Sequence, residues 1–85
     1  MMDSKVLVEV LVPASGEKYD VFIPLTVRMG EVAQMVSSVI NDLSAGRFRA
    51  TEQTMLFNAD TGVAYNVNTV VAELNIQNGT RLMLI

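Results

Sequence analysis

Val6, Val8, Val10 and Val12 alternate with Lys5, Leu7, Glu9 and Leu11. A period of two with β-branched residues on one side predicts a strand. Pro13-Ala14-Ser15-Gly16-Glu17 predicts a turn, because Pro presets φ and Gly admits positive φ. Tyr19, Val21 and Ile23 then alternate with Asp20, Phe22 and Pro24, so a second strand returns as a hairpin. Pro24 has no N–H for a ladder, which puts this strand at an edge. At Met29 the period changes. Met29, Val32, Val36, Val39/Ile40 and Leu43 recur every three to four residues, and Glu31, Gln34, Ser38 and Asn41 take the opposite stripe. That spacing predicts an amphipathic helix of about four turns. Glu31 complements its dipole, Gly46 is its expected stop, and Thr26 is the nearest capping candidate.

The second half is more broken. Arg47 to Gln53 is polar and predicts a loop. Thr54-Met55-Leu56-Phe57-Asn58 predicts a short strand, Ala59-Asp60-Thr61-Gly62 a turn, and Val63-Ala64-Tyr65 a brief strand. Asn68 or Thr69 can cap a single helical turn through Leu74. Gln77-Asn78-Gly79 is a turn signal before a final strand, Thr80 to Ile85. No repeat, low-complexity tract or linker interrupts the chain, so residues 1–85 are expected to form a single domain. A helix between two strands of one sheet must cross over one face of it. The expectation is a two-layer α+β domain in the order ββ–helix–ββ–short helix–β.

Composition narrows the function. With 85 residues, 51% of them apolar and 18% charged, the chain is globular and small. Six basic residues against nine acidic ones leave a net charge of −3. That provides no basic footprint for a phosphate backbone, so nucleic acid is not an expected partner. Neither cysteine nor histidine is present. Disulfides, thiolate nucleophiles, the usual general base and the commonest metal ligands are therefore excluded. Asp20, Asp42, Asp60 and Glu73 are scattered without a close pair, and Ser15-Gly16 lacks the spaced glycines and lysine of a phosphate loop. No catalytic constellation and no cofactor are expected. No apolar run approaches the roughly 18–20 residues of a membrane span. Met1-Met2-Asp3-Ser4-Lys5 lacks the charged and apolar regions of a signal peptide, so the expected location is cytoplasmic. Arg47-Phe48-Arg49 is the one basic–aromatic cluster. It suits either a solvated loop with Phe48 against the helix end or an accessory site for an acidic partner or a phosphate.

Several strings resemble the ubiquitin-like β-grasp superfamily. Gln53-Thr54-Met55-Leu56-Phe57 is similar to part of the second half of ubiquitin, as are Leu74-Asn75-Ile76-Gln77 and Thr80-Arg81-Leu82-Met83-Leu84. Within that superfamily, Tyr19-Asp20-Val21-Phe22-Ile23-Pro24 running into a helix is similar to the YukD/EsaB group, and so is the ending Ile76 to Ile85. These are small ubiquitin-fold proteins associated with type VII (WXG100, Esx-type) secretion systems of Gram-positive bacteria. The resemblance implies a mixed ββαββ(short helix)β sheet of order 2-1-5-3-4, with the first and last strands parallel at its centre. Two departures stand out. The chain ends on Leu84-Ile85 inside a predicted strand, without the Gly-Gly tail that a modifier or sulfur carrier activates. Val70 stands where ubiquitin has a capping threonine, so that cap must move to Asn68 or Thr69 or be lost.

Strand order turns alternation into a surface. If Val6, Val8, Val10, Val21, Ile23, Met55, Phe57, Leu82 and Leu84 face the helix, then Leu7, Leu11, Phe22, Leu56, Met83 and Ile85 point away from it. They would form an apolar patch on the order of a few hundred Å2, rimmed by Lys5, Glu9, Asp20 and Arg81, where a one-sided sheet should be polar. The ubiquitin resemblance puts Leu56, Met83 and Ile85 at positions of its partner-binding face. The expected function is a non-catalytic adaptor that binds a protein partner of a secretion apparatus through this face. A self-associating homo-oligomer is the alternative, and a modifier that acquires its tail differently is a third.

Overall fold

The computed structural model describes residues 4–85. The reading of the N-terminal start at Met1, Met2 and Asp3 lies outside the described residues. The hairpin forms where alternation puts it. Strand β1 spans Lys5–Val12 and pairs antiparallel with β2, Glu17–Pro24, in unbroken register from Lys5↔Pro24 to Val12↔Glu17. Helix α1 spans Met29–Leu43, β3 is Leu56–Asn58, a single 3-10 turn covers Val71–Glu73, and β4 is Arg81–Leu84. The sheet order is β2-β1-β4-β3, with β1 and β4 parallel in the middle and β2 at an edge. A mixed four-stranded sheet carries one helix.

The expected strand at Val63-Ala64-Tyr65 is reduced to one bridge, Phe57↔Ala64. The Asn58 side-chain oxygen accepts from the Asp60 and Thr61 N–H groups and tightens the chain into a turn. The Gly62 N–H donates to the Asn58 carbonyl within that turn, and the Val63 carbonyl and the Tyr65 N–H then return to the β3 backbone, too little for a ladder. Where the resemblance implies five strands, four are extended among the described residues.

Val6, Val8, Val10, Val12, Val21 and Ile23 from the hairpin pack with Leu82 and Leu84 and with Met29, Val32, Val36 and Ile40 of α1. Full burial of side chains of this kind is worth about 1.5–3 kcal/mol each before chain entropy is set against it. The expected stripe is buried at Met29, Val32, Val36 and Ile40 but not at its end. Val39 and Leu43 are exposed, and with Met35 they form an outward row, while Ser37 is buried and donates to the Ala33 carbonyl. Spacing of three and four residues admits either neighbour of Val36, and the seat over the sheet selects Ile40.

Neither helical segment has the expected side-chain cap. Arg28, not Thr26, is the residue before α1, and it makes no capping bond. Carbonyls of Thr69 and Val67 instead accept from the N–H groups of Met29 and Gly30. In return the carbonyls of Val27 and Leu25 accept from Val71 and Ala72. Neither Asn68 nor Thr69 caps the short turn, which follows Val70. Two segments distant in sequence satisfy each other's open N–H groups. The helix ends in a Schellman arrangement, with Gly46 N–H to the Asn41 carbonyl and Ala45 N–H to Asp42. Ala45, at φ 55°, takes the left-handed position that Gly46 was expected to hold.

Candidate interaction face

Register fixes which side chains share the open face of the sheet, because directly opposed residues lie on one side. Beyond Lys5 and Pro24, which stand opposite each other at the end of the hairpin, three outward rows cross the strands. Leu7 stands opposite Phe22. Asp20, Glu9 and Arg81 form the next row. Lys18, Leu11, Met83 and Phe57 form the third. Ile85 follows two residues after Met83 and is 57% exposed, and Phe22 is 62% exposed. Leu7 is just exposed, and Leu11, Met83 and Phe57 are half-buried.

Leu56 is not on this face. It is 3% exposed and belongs to the core. Its partner in the ladder is Leu84, which is also buried, so both turn toward the helix. Met55 and Phe57, expected beneath the helix, are only half-buried. Phe57 pairs with Met83 and takes the outward place assigned to Leu56. The misleading signal is Thr54 and Asn58, polar residues in step with Leu56. The informative one is the partner strand, whose buried Leu82 and Leu84 fix the inner side.

Glu9, Asp20 and Arg81 are not a rim either. They cross the middle of the face and divide it into a Leu7/Phe22 part and a Leu11/Met83/Phe57 part with Ile85 beyond. Arg81 Nε lies 3.4 Å from Glu9 and Nη1 3.4 Å from Asp60, and Lys18 Nζ lies 4.0 Å from Glu9. Exposed pairs of this kind contribute about 0–1 kcal/mol each, so the row sets orientation more than stability.

Arg47, Phe48 and Arg49 lie beside the β1–β2 turn and not among these rows. Arg47 donates to Glu17 Oε2 at 2.7 Å, and the Tyr19 hydroxyl donates to Oε1 at 2.8 Å. The Tyr19 hydrogen bond, with Arg47 adding to it against partial desolvation, holds the Glu17 carboxyl below its ordinary range. The same bond pushes the Tyr19 hydroxyl up. Phe48 packs against the core, its N–H donating to Ser44 Oγ and its carbonyl accepting from Asn41. Among the described residues, no group of three His, Cys, Asp or Glu side chains could hold a metal. No helix there is long and apolar enough to cross a membrane.

No family model matches the sequence, and no curated relative does. Solved structures do match its fold. The ubiquitin-like domain of the Mycobacterium tuberculosis type VII secretion protein EccD1 superposes with a TM-score of 0.77 at 14% identity, over 98% of this chain and 99% of that one. A chain of the MycP5-free ESX-5 inner membrane complex gives 0.71 at 19% identity. There the match covers 98% of this chain but only 21% of that one, so this chain spans about a fifth of its length. A chain of the toluene 4-monooxygenase HD complex gives 0.79 at 15% identity, over 95% and 96%. The fold is ubiquitin-like β-grasp.

Proposed function

We propose that this chain is a non-catalytic protein-interaction module of the YukD/EsaB kind, a cytoplasmic accessory or regulatory component of a Gram-positive type VII (WXG100) secretion system. The observation that carries the reading is the outer sheet face. Phe22, Leu7, Leu11, Met83, Phe57 and Ile85 stand in two apolar parts where a one-sided sheet is ordinarily polar. The likeness to the ubiquitin-like domain of EccD1 and to part of a chain of the ESX-5 inner membrane complex supports the secretion context. In the mechanism, a partner buries the two apolar parts and meets the Glu9–Arg81 row with complementary charge, which fixes its orientation.

The test is a Phe22→Asp, Met83→Asp double variant in the native host. Affinity purification of the parent chain is expected to recover components of the secretion machinery, and the variant to lose them while keeping its circular dichroism spectrum. Recovery of the same partners by the folded variant would refute the face. A parent chain that sediments as an oligomer, and a variant that sediments as a monomer, would instead identify a second copy of this chain as the occupant.

A further inference from the structure

We propose a second recognition site, the cavity between the β1–β2 turn and the segment after α1, and we assign it an acidic peptide segment carrying an apolar side chain. The inference concerns a surface that adjoins the one proposed above at Ile85, which both share, and is otherwise separate from it. The cavity has a volume of about 480 Å3, within the range that holds a few side chains. Pro13, Ala14, Phe48 and Ile85 supply an apolar lining, and Arg47 and Arg49 stand at it. The electrostatics select the occupant. The chain as a whole is acidic, at −3. Here Glu17 is already engaged by Arg47 and Tyr19. Arg49 is exposed and makes no ion pair among the described residues, so it is an uncompensated cation at the edge of an apolar cavity. A guanidinium suits a carboxylate, since its planar donors match the two oxygens. A Glu or Asp beside a Leu or Phe satisfies both halves of the site, whereas a basic segment satisfies neither charge.

The probe is a short synthetic peptide of alternating glutamate and leucine, titrated into the isotope-labelled full chain and followed by amide chemical shifts. Shifts are expected at Ala14, Ser15, Arg47, Phe48 and Arg49, with affinity that falls as salt rises. Arg49→Glu is exposed and leaves the core intact. It is expected to weaken binding roughly fivefold to tenfold, the effect of losing one partly screened attraction and gaining one repulsion. Phe22→Asp is expected to bind like the parent, which separates this site from the sheet face. The proposal is overturned by an absence of binding at millimolar peptide or by equal affinity for the lysine–leucine analogue. It is overturned equally by an unchanged affinity of Arg49→Glu, or by shifts centred on Leu7, Phe22 and Met83.

Discussion

Ala45 occupies the left-handed region at φ 55°, where a Cβ crowds the following carbonyl. The Schellman bonds around it need that conformation, so the strain is intrinsic to the stop. Ala45→Gly is expected to raise stability in urea unfolding by about 0.5–1 kcal/mol, the relief being larger than the extra freedom of the unfolded chain. Leu56 shows the opposite dependence on its site. Truncation to Ala removes a buried side chain next to Leu84 and is expected to cost about 2–4 kcal/mol. The equally apolar Phe22, mostly exposed, is expected to cost within about 0.5 kcal/mol on the same change. Glu17 carries a pH signature. Its folded carboxyl titrates below the ordinary range, so the stability it adds is present above the unfolded value and is lost as pH falls through the folded one. In urea midpoints taken from neutral to acidic pH, the parent is expected to exceed Glu17→Gln at neutrality. The gap should close on acidification.

Between elements, the main device is the exchange of hydrogen bonds between the start of α1 and the segment around Val67–Ala72. Gly30 permits it. A Cβ there would stand 3.2 Å from the Val67 carbonyl oxygen and 3.4 Å from its Cβ. Val67 cannot withdraw freely, because Thr69 accepts from Met29 and Arg28 bridges Val70. Gly30→Ala in a helix ordinarily gains about 1 kcal/mol. Here crowding is expected to exceed that gain, giving a net loss of about 1 kcal/mol and faster exchange at the Met29 and Gly30 amides. This clamp was not legible from sequence, since caps are sought among Ser, Thr, Asp and Asn side chains and backbone carbonyls leave no such mark. What was legible is what periodicity encodes. The β1–β2 alternation and the run from Met29 to Leu43 give the hairpin and the body of the helix, but not the residues that open and close it. β3 was legible only as a strand. Its short run of Met55, Leu56 and Phe57 is apolar throughout, so alternation cannot choose a side, and the choice belongs to β4.

The candidate face inherits that limit. Leu7, Leu11, Phe22 and Met83 lie on long or central strands whose buried valines and leucines fix the parity, Ile85 directly follows the last of them, and their placement followed from sequence. Leu56 and Phe57 exchange roles because β3 has no such internal reference. The division of the face by Glu9, Asp20 and Arg81 needed register across three strands, which no single strand contains. The same distribution of long and short strands sets how the molecule opens. β1 is flanked on both sides, by eight residues of β2 and by β4, and its inward valines are almost fully buried. β3 has three residues, and the chain from Ala59 to Asn68 returns to it by few bonds. Local openings follow contact density and burial, so this half should open while the β2-β1-β4 part stays closed. In native-state hydrogen exchange, the Val8, Val10 and Leu82 amides are expected to exchange only at the global unfolding free energy. Asn58, Gly62 and Tyr65 are expected to exchange through a smaller opening that denaturant barely affects. Equal protection of the two groups would mean that β3 is as firmly held as the parallel centre, and the asymmetry argued from strand length would be lost.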